Sequence, residues 1–96
     1  MRLAYITSFE GKTDFNSDIS NWNTSQVTNM SSMFKNCSKF NRDISDWDVN
    51  NVLDFQDMFE NSKLETSFSD TKRNAIHASF STNQYWPYQW EDVSLP

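Results

Sequence analysis

The chain has 96 residues, enough for one small domain and too few for a second core. Its 36% apolar content leans on aromatics and methionine: eight Phe, four Trp, three Tyr and four Met stand beside four each of Leu, Ile and Val. A formal net charge of −5 with scattered lysines and arginines leaves no basic stripe to displace counterions from a nucleic acid or to hold an anionic membrane surface.

The first element expected is a short strand over Arg2–Phe9, where Leu3, Tyr5 and Thr7 alternate. Its apolar run is too short for the core of a signal peptide, and no stretch approaches the roughly 20 apolar residues of a membrane span. Unless it is a processed fragment, the chain is expected to carry no export signal of its own. Gly11, the single glycine, stands where this cap passes into the repeats and is expected at positive φ.

From Phe15 to Leu64 one 25-residue unit is written twice. Ten positions are identical at that offset: Phe15/Phe40, Asn16/Asn41, Asp18/Asp43, Ile19/Ile44, Ser20/Ser45, Trp22/Trp47, Val27/Val52, Met33/Met58, Phe34/Phe59 and Asn36/Asn61. A fixed period of this length marks units that bury their apolar faces against each other. Phe9 precedes Phe34 by the same interval, so Phe9–Phe15 reads as the end of an earlier, missing copy.

Inside each unit, Met30, Met33, Phe34 and Cys37, and likewise Phe55, Met58, Phe59 and Ser62, fall at i, i+3, i+4 and i+7. That spacing predicts a short helix, with Asn29 and Asp54 placed to cap it. Cys37 then reads as a small buried apolar group on the helix. Brief strands are expected near Trp22–Thr24 and Trp47–Val49, with Val27 and Val52 filling the layer between strand and helix. A third copy begins at Leu64–Asp70 and fails, giving way to a helix from Thr71 to about Phe80, capped by Ser69 or Asp70, with Ala75, Ile76 and Phe80 against the repeats. Tyr85, Trp86, Tyr88 and Trp90 crowd the tail, where Pro87 excludes a helix. These rings either fold back as a lid or dock on another chain.

Chemistry-bearing patterns are few. His77 is the one histidine and has no motif around it, and no phosphate loop, dinucleotide fingerprint, nucleophile elbow or paired-cysteine zinc spacing occurs. Asn21, Asn23, Asp46 and Asp48 form a polar face that stacking would bring into adjacent rows. Side-chain-to-backbone turn bonds are the expected use of these groups, with a cation row or a carboxylate pair as the sharper alternatives. No catalytic residue, metal or cofactor is expected.

The pattern Phe-Asn-x-Asp-Ile-Ser-x-Trp, followed by Val27, Met30 and Met33-Phe34, and its copy from Phe40 to Phe59, resembles the Mycoplasma-type DUF285 repeat of BspA-like surface proteins, a leucine-rich-repeat relative. The resemblance covers about Phe9 to Asp70. It implies a short solenoid with a parallel sheet; with the residue pattern above, the expected fold is α/β, a short solenoid of 25-residue repeats with short parallel strands and short helices, capped by an N-terminal strand and a C-terminal helix. It also implies a non-catalytic role in adhesion or protein contact, and attaches no site residues to the motif positions. The expected organisation is a cap over 1–14, repeats over 15–39 and 40–64, a degenerate repeat with capping helix over 65–82, and an aromatic tail over 83–96. Two units are few for such a stack, so caps or a partner are expected to complete burial. The expected role is a structural or protein-interaction module within a homo-oligomer or hetero-assembly, with a phage or virus virion as the favoured setting. A cell-surface adhesion module binding a host protein or glycan is the alternative. Neither nucleic acid nor membrane insertion is expected.

Overall fold

The computed structural model describes residues 8–66 and 71–90. Within them each repeat unit is a succession of tight turns. In the first unit the amides of Phe15, Trp22, Val27, Met33 and Cys37 donate to the carbonyls three residues back, at Lys12, Ile19, Thr24, Met30 and Phe34. The second unit repeats the scheme at Phe40, Trp47, Val52, Met58 and Ser62. Side chains close further turns: Asp18, Asn23, Asn29, Asp43, Asp48 and Asp54 each accept from the backbone amide two residues on. Short Asp and Asn side chains favour this local bond over a helix or a ladder.

Among the described residues, four other than glycine take the left-handed conformation, Ser32, Asn36, Asp57 and Asn61, with φ of 55°, 62°, 58° and 61°. They are the same two places in the two units, and each is the third residue of a turn, where a type II turn requires positive φ. Gly11, at φ 78°, is the third copy of that place, in the turn closed by Lys12 N and Phe9 O.

These dihedrals overturn the expected α/β solenoid. A right-handed helix needs φ near −63° at every residue, so none can pass through Ser32 and Asn36 or through Asp57 and Asn61. Met30–Cys37 and Phe55–Ser62 are therefore turns, and Asn29 and Asp54 close turns at Ser31 and Gln56 instead of capping helices. The strands expected near Trp22–Thr24 and Trp47–Val49 do not form either. Among the described residues there is no strand, and an isolated parallel bridge joins Asn29 and Asp54. The N-terminal strand over Arg2–Phe9 and the caps Ser69 and Asp70 lie outside the described residues, apart from Ser8 and Phe9.

The apolar spacing nonetheless selects the inward positions. Ile19, Val27, Met30, Met33, Phe34 and Cys37 are buried, as are Ile44, Val52, Phe55, Met58 and Phe59. Backbone bonds then tie the units together in one constant register: Met30, Ser32, Phe34 and Asn36 donate to Asp54, Gln56, Met58 and Glu60 at 2.8–2.9 Å. Phe9 and Gly11 donate in the same register to Met33 and Lys35, both at 2.8 Å. Rings follow the period as well. Phe34 stacks between Phe9 and Phe59, with centroids 5.9 and 5.7 Å away, Phe15 on Phe40 at 5.6 Å and Trp22 on Trp47 at 6.4 Å. Each buried Phe or Met contributes roughly 1.5–3 kcal/mol, which is why few branched aliphatic residues suffice.

Helix α1 spans Lys63–Thr66, across the end of the second unit, and α2 spans Thr71–Phe80. The second stands where the sequence places it and buries Ile76 and Phe80 completely. Beyond it, Trp86 packs edge-on against Phe55 and Phe80, and Trp90 lies 5.0 Å from Phe59. Asn83 anchors the return by donating to the carbonyls of Val49 and Val52 at 2.9 and 2.8 Å. The tail rings thus cover the end of the ring column.

Candidate interaction edge

The last unit has the same row of amides as the first but no further unit to receive it. In the first unit all four alternate amides, at Met30, Ser32, Phe34 and Asn36, point into the second. Their counterparts are Phe55, Asp57, Phe59 and Asn61. Phe59 N donates to the Tyr88 hydroxyl at 2.9 Å, and Asn61 N to a Glu65 carboxylate oxygen at 2.9 Å. Two side chains therefore stand in for the carbonyls a third copy would have supplied. Burial pushes the Tyr88 phenol up to about 12, so it stays neutral.

The amides of Phe55 and Asp57 have no acceptor among the described residues. By the repeat, Leu53 O holds the place of Thr28 O, the carbonyl with which the first unit accepts Leu53 N at 2.8 Å. A groove of about 320 Å³ runs between this row and the tail, lined by Leu53, Phe55, Asp57, Tyr85 and Tyr88 among others. Leu53 and Tyr85 also line a neighbouring groove of about 380 Å³. They are the two exposed large apolar side chains among the described residues, at 61% and 49%. Asp54 and Asp57 give the groove negative charge, and neither lysine nor arginine lines it.

Of the four tail residues singled out in the sequence, Trp86 and Trp90 lie inside, 9% and 3% exposed, and Tyr88 spends its hydroxyl on Phe59. Tyr85 is the one that faces out. Trp86 is further tied by its indole N–H, which donates to His77 Nδ1 at 3.0 Å, and Trp90 by the Arg73 guanidinium 4.8 Å above its ring. Of the polar face, Asn23 and Asp48 use an oxygen in turn bonds to Ser25 and Asn50, while Asn21 and Asp46 are exposed. Asp18, in the same surface, is held below the usual carboxylate range by the Ser20 amide and hydroxyl. Among the described residues no cluster of three metal-ligating side chains occurs.

Sequence reasoning missed Leu53, Asp57 and Glu65. A signal for Leu53 was available: it is a leucine in a slot where the first unit has Thr28.

These features define a class of protein, one built of tandem turn-rich units zipped by an alternate-residue amide row and closed by an aromatic lid. A model of the family described as "Mycoplasma protein of unknown function, DUF285" matches residues 5–85, and the chain belongs to that family, as its repeated motif suggests. No curated protein and no solved structure matches the chain.

Proposed function

We propose that the chain is a non-catalytic protein-interaction module working within a larger assembly, for which a virion is one suitable setting. The observation that carries this reading is the open part of the amide row. Among the described residues, Phe55 and Asp57 present unpaired backbone donors beside two exposed apolar side chains, on an edge whose other half the chain has capped with its own side chains. The test is native purification from the source, followed by mass measurement and cross-linking. A fixed complex well above the mass of one chain, with defined stoichiometry, supports the reading, and a lone single-chain species at every stage overturns it.

A further inference from the structure

We infer that the edge Leu53–Asp57 receives an extended segment of a partner protein, parallel to it, carrying alternating apolar and basic side chains. The inference rests on the interaction-module reading and names the partner's chemistry.

The chain itself displays the hydrogen-bond register, its own segment passing after Asp54 into the Phe55–Met58 turn. At the junction between units, Leu53 N donates to Thr28 O, Met30 N to Asp54 O and Ser32 N to Gln56 O. Moved one unit on, the same pattern offers Leu53 O as an acceptor and the amides of Phe55 and Asp57 as donors. A segment meeting all three must give one amide and then two carbonyls at alternate residues, which a parallel extended backbone does and a helix cannot. Its side chains then alternate across the edge. Those turned toward Leu53 and Tyr85 meet apolar surface, and those turned toward Asp54 and Asp57 meet carboxylates.

Charge decides against a second copy of this chain as the occupant. Each copy carries −5, and the groove adds two carboxylates at the contact, so copies repel where a basic segment is drawn in. The lid also blocks whole-unit stacking, because Tyr88, Trp86 and Trp90 already cover Phe59. A strand-width segment fits beside the lid; a third whole unit does not.

The test is titration of the full chain, isotopically labelled, with an octapeptide of alternating valine and lysine, beside the same peptide with glutamate for lysine. The expected result is saturable binding of the lysine peptide with a dissociation constant on the order of 0.1–1 mM. The Phe55 and Asp57 amides shift and exchange about tenfold more slowly, and the glutamate peptide leaves them unchanged. Leu53→Glu and Tyr85→Ala, both at exposed side chains, abolish the effect while the remaining spectrum stays folded. Unmoved Phe55 and Asp57 amides, equal binding of both peptides, or self-association in place of peptide binding overturns the inference. Running the native purification on Leu53→Glu separates the two ideas. A complex that persists with this variant leaves the module reading standing and removes the edge, whereas the absence of any complex for the unaltered chain removes the module reading itself.

Discussion

The Tyr88 hydroxyl accepts the backbone amide of Phe59 at 2.9 Å, in the place where Phe34 has the carbonyl of Met58. A side chain from the tail thus completes a row that the repeats leave open. Tyr88→Phe keeps the ring and orphans the amide, and is expected to cost about 1–3 kcal/mol in denaturant unfolding. An unchanged midpoint would show that water serves the amide equally well.

The same phenol sets an alkaline limit. Burial raises its value from 10 to about 12, so the folded state favours the neutral form. Stability from this group is full below pH 10 and is lost as pH rises through about 12, because the unfolded chain releases the proton first. Unfolding followed by phenolate absorbance should show this alkaline loss, and Tyr88→Phe should flatten it.

Backbone conformation is separable from packing at two positions. Gly11 has φ 78° and open space where a Cβ would stand, so Gly11→Ala should cost about 1 kcal/mol through the dihedral alone. Ser32, at φ 55°, already bears that cost, and Ser32→Gly should stabilise by about 0.5–1 kcal/mol. Thermal melts of both variants check the opposite signs.

Phe34 sits between Phe9 and Phe59 and 3.9 Å from Phe40, fully buried. Phe34→Ala should cost about 3–5 kcal/mol. For a domain of ordinary stability, about 5–15 kcal/mol, that is enough to leave much of it unfolded on warming. A cooperative melt within a few degrees of the unaltered chain would contradict the ring column as the main support.

Asn83 holds two carbonyls of the last unit with one amide group. Asn83→Ala should loosen the lid before the repeats, exposing Trp86 and Trp90 to a fluorescence quencher while the amides of Phe34 and Met58 keep their exchange protection. Simultaneous loss of both would show lid and repeats to be one cooperative unit.

The edge was half legible. The failed third copy at Leu64 signalled an unfinished end, and the tail aromatics signalled the means of closing it. Which aromatic faces out was not readable, because Tyr85 and Tyr88 differ only in what lies beside them after folding.

By itself the amino-acid sequence determined the period, the inward positions from Ile19 to Phe59, the place of α2 and the turn at Gly11. Each of these follows from local chemistry repeated at a fixed interval. Only the tertiary structure decided that Met30–Cys37 is a run of turns instead of a helix. Spacing of i, i+3, i+4 and i+7 says which side chains turn inward, and a row of turns satisfies it as well as a helix does. The choice lies with the backbone amides. Those of Met30, Ser32, Phe34 and Asn36 find carbonyls in the next unit, and no local pattern records a bond to a neighbour that exists only once that unit is in place.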